Sequence, residues 1–376
     1  MSHSRIQALK ISSANTQAQV ETRGMRMKIK AGVQPKKIPI YLTGGIGDTI
    51  VALQTVNQIA QMCGPVEIYC SHPEVARIYS DHTVYHSNDM KSYTYLIWIC
   101  TMANFILAEN FESFENDALE EMFIKNRMVI SSDRWKTFIT THPHTDNHMA
   151  DHCVKMGLDR YTVANYMMGL PSYGTLSKKI QPFFVTYKKT ITVHDGIDNN
   201  NPLPEGGRAT KTWSMEQWGT LTSMIKKEFP DFHIVQLGGK NSRKIPNVDV
   251  CLVNQTGLHR SLAILQASSL HIDGDSGLVH AAHVMGVPSV VMFGPTPVKF
   301  FGYPENYNIS SSFCTDCFWT SDHWNVKCPL DYGTPKCMDS ISPEEVLSKV
   351  RRALKYEKNK PDPIGTAPRS LSEEFA

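Results

Sequence analysis

The sequence lacks any apolar run of the ~20 residues needed to cross a bilayer. Its most apolar stretch, YLIWICTMANFILA from Tyr95, is shorter and carries Thr101 and Asn104, so it reads as a buried strand running into a helix. Residues 1–37 have no apolar core of the kind a secretory leader needs, and none is expected there. Neither sign of charge dominates: 38 Lys and Arg stand against 36 Asp and Glu, and a net charge of +2 selects no class of partner. The nine cysteines are odd in number and scattered, which excludes a secreted disulfide framework and points to a reducing cytoplasm.

What is present is the balance of a globular chain, 41% hydrophobic and 20% charged, and 376 residues exceed one ordinary core. Two domains are therefore expected. Residues 1–37 carry eight Lys or Arg against the single acid Glu21, and read either as a loose terminus or as an arm touching an anionic surface. From Ile38, IPIYL reads as a strand, TIVALQTVNQIAQMC as a helix stopped by Gly64-Pro65, and VEIYC as a second strand, together a βαβ unit. The periodicity breaks near 170–184 and restarts with strands at 190–196, 232–239, 248–253, 268–275 and 287–295. Helical patterns in MEQWGTLTSMIKKEF, RSLAILQAS and GLVHAAHVMG separate these strands. The expected division is an arm at 1–37, a first domain at 38–172, a linker at 173–189, a second domain at 190–354 and a tail at 355–376.

Two glycine-bearing loops carry the chemistry. In TGGIGDT, Gly44, Gly45 and Gly47 allow a tight turn and close approach to a helix start. The stretch has no Gly-Lys-Ser/Thr ending and no third glycine of a dinucleotide fingerprint, so neither phosphate loop applies. Asp48 is either an N-cap or a general base facing a cleft. In DGDSGLVHAAH, Ser276 and Gly277 open a helix with a hydroxyl and bare N–H groups suited to a diphosphate. Lys211, just before a helix in TKTWSMEQW, is either a surface lysine or the mobile cation that a leaving diphosphate needs.

In that order, GGIGD, TKTWSMEQW, LGG and DSGLVHAAHVMGVPSVVMFGPT resemble glycosyltransferase family 9, the ADP-heptose lipopolysaccharide heptosyltransferases, from about residue 38 to about residue 354. The resemblance implies an α/β GT-B fold, two Rossmann-like βαβ domains facing across a cleft, with the acceptor on the first and the nucleotide sugar on the second. It implies Asp48 as catalytic base of an inverting transfer and Lys211 as the lysine steadying the donor phosphates. Gly44, Gly45, Gly47, Gly238, Gly239, Asp275, Ser276, Gly277 and His280 would then line the donor site. It implies no catalytic metal, and Asp273-Gly274-Asp275 is accordingly read as a strand end and not as an Asp-x-Asp metal site. The default donor is ADP-heptose; the acceptor hydroxyl belongs to a glycan, a protein or a modified nucleic acid such as a hydroxylated phage DNA base. A GT-B-like protein that binds sugar nucleotide or glycan without turnover is the alternative.

Cys314, Cys317, Cys328 and Cys337 place four of the nine cysteines within residues 314–337, the usual ligand set of a structural zinc or iron, against unrelated buried thiols. A similar segment occurs in the family branch that heptosylates autotransporter adhesins, where iron is bound. His148 and His152 stand one turn apart, but an amphipathic helix accounts for them better than a metal site, and His142 or His144 is left as a candidate acceptor contact.

Overall fold

The computed structural model describes residues 21–22, 25–26, 31–141, 148–171, 176, 189–196 and 208–358. Most of the expected arm, most of the linker, the tail beyond 358, and His142 and His144 lie outside these residues.

The first half alternates β1 (Ile38–Leu42), α1 (Ile46–Cys63), β2 (Val66–Cys70), α2 (Pro73–Tyr79), β3 (Thr83–His86), β4 (Tyr95–Ile99) and β5 (Ala103–Leu107). Its sheet runs β3-β2-β1-β4-β5, parallel except for the antiparallel β4–β5 pair. Here the structure corrects the strand-into-helix reading. The chain turns back at Cys100, whose N–H donates to the Met102 carbonyl at 2.8 Å, and ANFIL forms an edge strand. Its short apolar run has no periodicity that separates strand from helix, and pairing with β4 decides. On one face Tyr85, Tyr69, Tyr41 and Trp98 fall in register across four strands. Residues 32–34, read as part of the arm, are fastened to this unit: Val33 exchanges backbone hydrogen bonds with Ser92 and Thr94, and Gln34 reaches Glu115.

Helices α3 (Asp117–Ile130), α4 (Asp133–Thr141), α5 (His148–Lys155) and α6 (Val163–Met168) complete this half. His148 and His152 share α5, whose Met149, Ala150 and Cys153 are buried, and the His152 ring packs on Trp135 and Phe138.

The second half comprises β6 (Lys189–Val193), α7 (Met215–Glu228), β7 (Phe232–Gln236), β8 (Val250–Cys251), α8 (Leu258–Gln266), β9 (Leu270–Gly274), α9 (Gly277–Met285), β10 (Ser289–Phe293), α10 (Val298–Phe301) and β11 (Tyr307–Ser310). The short α11 (Lys336–Asp339) and the long α12 (Pro343–Lys358) close it. Its sheet is wholly parallel in the order β8-β7-β6-β9-β10-β11. In each sheet the strand order reverses beside the first strand, at β1/β4 and at β6/β9. Open α/β sheets bind ligands off the strand carboxyl ends at such switch points. The two halves share a core: Ile50, Leu53 and Val56 of α1 cluster with Leu262 and Leu265 of α8 and Leu278, Ala281 and Ala282 of α9. Each Leu, Ile or Val side chain among these contributes roughly 2 kcal/mol by leaving water and each alanine methyl less, which favours keeping the two helix starts together.

Candidate active site

The Asp48 loop is built on backbone that only glycine supplies. Gly44 has φ +116°, and a Cβ there would fall 2.4 Å from Asp48 Oδ2. Helix α1 begins three residues earlier than its apolar pattern predicts, with Gly45 as N-cap. Asp48 is thus the third residue of the helix and not its N-cap, and its Oδ2 accepts the Gly45 N–H at 2.9 Å. Its Oδ1 accepts from Arg160 Nη2 at 2.7 Å, joining a buried guanidinium, 3% exposed, to a carboxylate that is 36% exposed. Burial acts to raise the Asp48 pKa. The charge and hydrogen bond of Arg160, with the Gly45 N–H, outweigh it and hold the carboxyl below its ordinary value. Cys100, on the β4–β5 turn, feels both charges, and burial followed by Asp48 pushes its thiol up.

The two glycine loops meet. A Cβ on Gly47 would fall 2.3 Å from His280 Cδ2, and one on Gly277 would fall 3.2 Å from the Gly47 nitrogen. His280 shares a hydrogen bond with Tyr303 through Nδ1 at 3.1 Å, and the Tyr303 ring stacks on Tyr161 with centroids 4.1 Å apart. Burial, the largest influence, brings the His280 pKa down to about 4, so the ring is neutral at pH 7. Asp275, Arg160, Asp48 and Lys211 all act on it, which places it between the two loops.

On the second sheet, Asp273 is fully buried and accepts from the Gly196 N–H at 3.1 Å, from His194 Nδ1 at 3.0 Å and from the Ser276 hydroxyl. Ser276 in turn caps α9, its Oγ accepting the Leu278 N–H at 3.2 Å. The Ser276 hydroxyl is therefore engaged within its own turn, where it satisfies one of the first-turn N–H groups of α9. Lys211 Nζ lies 2.7 Å from Asp275 Oδ2 and 5.9 Å from the Trp324 ring centre. Its carbonyl presses on Gly196 and Gly274, where a Cβ would come within 2.9 and 2.7 Å. Gly238 and Gly239 form the loop after β7, their carbonyls accepting from Asn254 and Ser242.

The structure thus gathers Gly44, Gly45, Gly47, Asp48, Gly277 and His280 at one point, with Lys211, Asp275 and Ser276 beside it. Arg160, Tyr161, Tyr303 and Cys100 are new. Nothing in LDRYT marks Arg160 by motif or spacing; a lone arginine reads as a surface residue.

Among the described residues no group of three or more His, Cys, Asp or Glu side chains stands in a metal-holding arrangement. All nine cysteines are free. Cys314, Cys317, Cys328 and Cys337 are nonetheless near enough to act on one another: after burial, neighbouring thiols are the next cause that pushes Cys317 up to about 11 and Cys337 up to about 12. This segment touches the Lys211 loop, because Thr210 donates through its N–H to the Asn325 carbonyl and through its hydroxyl to that of Trp324.

Residues 201–324 match the family model of glycosyltransferase family 9 (heptosyltransferase). The match covers a stretch of the second half of the chain, from before Lys211 to Trp324. No curated protein matches the chain by sequence. Among solved structures, the iron-containing dodecameric glycosyltransferase TibC from enterotoxigenic E. coli H10407 is 14% identical with a TM-score of 0.60, over 88% of this chain and 82% of TibC. A second TibC structure, described as a heptosyltransferase in complex with ADP-D-beta-D-heptose, is 13% identical with a TM-score of 0.60, over 87% of this chain and 78% of that one. The E. coli ADP-heptose lipopolysaccharide heptosyltransferase II is 13% identical with a TM-score of 0.50, over 86% of this chain and 99% of that enzyme. At such identities the likeness speaks for the fold alone, and the chain has the GT-B fold. No helix among the described residues is long and apolar enough to cross a membrane.

Proposed function

We propose that this chain is an inverting glycosyltransferase that moves a sugar, heptose by default, from an ADP-sugar to an acceptor hydroxyl. The observation that carries the reading is the contact of the two glycine loops, where Gly47 and Gly277 bring Asp48 beside the N-terminus of α9. An anion at that terminus meets unsatisfied N–H groups and the positive helix end. Lys211 adds charge, with the diphosphate competing against Asp275 for its ammonium. In the transfer, the bond from the anomeric carbon to the diphosphate oxygen breaks and the diphosphate leaves with the electron pair. The acceptor oxygen bonds to the opposite face of that carbon, inverting it, and its proton passes to Asp48. A carboxylate held ionised by Arg160 is a weak base, suited to taking the proton late, once the new bond has made the acceptor oxygen acidic.

In this reading residues 38–172 form the acceptor side and residues 190–354 the donor side. The acceptor hydroxyl belongs to a glycan, a protein or a modified nucleic acid, and the compartment is the cytoplasm. The four-thiol set Cys314, Cys317, Cys328 and Cys337 suits iron or zinc in a structural role, supported by the sequence spacing of the four cysteines and by the iron named for TibC. Elemental analysis of protein purified without chelator should find about one metal per chain; far less would refute this part.

The deciding experiment is calorimetric binding of ADP, UDP, GDP and CMP without and with magnesium, followed by Asp48→Asn. Selective, magnesium-independent ADP binding with turnover lost by ~10²–10⁴ in Asp48→Asn is expected. Preference for another nucleotide removes heptose; full activity of Asp48→Asn removes Asp48 as base; binding without turnover in the wild type favours a non-catalytic sugar-nucleotide protein.

A further inference from the structure

We propose that Arg160 is a positioning residue for the Asp48 carboxylate, and that the second unit sets its aim through the segment 159–161. The inference rests on the reading of Asp48 as base but is tested apart from it.

The Asp48 carboxylate is held by one donor on each oxygen, the Gly45 N–H on Oδ2 and Arg160 Nη2 on Oδ1, and the rest of it faces outward. The first donor comes from its own helix turn; the second comes from a residue 112 positions away. Arg160 sits in a turn locked by Asp159, whose Oδ1 accepts from the Tyr161 and Thr162 N–H groups at 3.0 and 2.9 Å and from the Thr162 hydroxyl at 2.7 Å. That turn is then pinned to α10 and the loop after it. The Arg160 N–H donates to the Phe300 carbonyl at 2.9 Å, the Tyr161 hydroxyl donates to the Phe301 carbonyl at 2.6 Å, and Tyr161 stacks on Tyr303. The guanidinium thus reaches Asp48 from the first unit while its backbone is anchored to the second. Its Nη1 is buried with no hydrogen-bond partner among the described residues, which a residue kept only for stability would be expected to satisfy. The titratable groups facing Asp48 are Arg160, His280 on α9 and Cys100 on the β4–β5 turn.

The test uses the full chain labelled with ¹³C at the aspartate carboxyls, the Asp48 signal being assigned by its loss in Asp48→Asn. Arg160→Gln should raise the Asp48 pKa by roughly one unit or more, and Arg160→Lys should restore part of the fall. Tyr161→Phe, which removes no charge near neutral pH, should raise it by a smaller amount. In turnover, the acid limb of kcat/KM should move up in the same order while the KM for the nucleotide sugar stays unchanged. An unchanged Asp48 pKa in Arg160→Gln overturns the positioning role, and an unchanged value in Tyr161→Phe overturns the anchoring by the second unit. If Arg160→Gln does not fold, Arg160→Lys and Tyr161→Phe decide. Should Asp48→Asn retain activity, the base assignment fails, and the NMR values still settle whether Arg160 governs the carboxylate.

Discussion

Replacing Gly47 by Ala sets two effects of opposite sign against each other. Gly47 lies in the first turn of α1, where Ala should stabilise the helix by at most ~1 kcal/mol. The new Cβ would sit 2.3 Å from His280 Cδ2, 2.9 Å from its Nε2 and 3.3 Å from the Gly277 Cα. The His280 ring cannot easily swing away, because Tyr303 holds its Nδ1 and Tyr161 and Tyr303 flank it. Overpacking of this kind costs ~1–3 kcal/mol. The clash should win, leaving Gly47→Ala about 1–2 kcal/mol less stable, a factor of roughly 5–30 in the folding equilibrium. The assay is denaturant unfolding of wild type, Gly47→Ala, His280→Ala and the double variant. Because His280→Ala removes the obstacle, the double variant should recover ~1–3 kcal/mol over the sum of the singles. A Gly47→Ala protein as stable as wild type, or coupling within ~0.5 kcal/mol of zero, would refute the contact of the two loops.

Other tests follow from the same geometry. Gly44→Ala places a Cβ in a backbone of φ +116° and against the Asp48 carboxylate, so turnover should fall by ~10²–10⁴ while calorimetry shows ADP binding retained. His280 has a folded pKa of about 4 against an ordinary 6.5, so as pH falls from 6.5 the unfolded chain takes up a proton that the folded chain refuses. Stability should then drop with a slope of up to ~1.4 kcal/mol per pH unit until about pH 4, and urea titrations of His280→Gln should lack this component. Thr210→Val leaves the buried Trp324 carbonyl without its 2.8 Å hydroxyl partner beside Lys211; it should cost ~1 kcal/mol and weaken ADP about fivefold, read by calorimetry.

Backbone demands and periodicity are local, and the sequence alone determined what depends on them: the strands IPIYL, VEIYC, FHIVQ and SVVMF, the helices behind the two glycine loops, and Asp48 and Ser276 at helix starts. The same locality explains the misreadings. YLIWICTMANFILA, apolar but for Thr101 and Asn104, has no periodicity that separates strand from helix, so only the ladder between β4 and β5 showed it to be a hairpin. Helix α1 starts at Ile46, before its apolar pattern and despite the helix-disfavouring Gly47, making Asp48 the third helical residue. The tertiary structure alone decided what surrounds that carboxylate. Arg160 is distant in sequence and unmarked by motif, yet burial in a shared core and the anchoring of its turn on α10 bring it to 2.7 Å from Asp48. Nor could spacing show that Gly47 lies against His280, because a glycine required by a neighbour more than two hundred residues away looks the same in sequence as one required by its own turn.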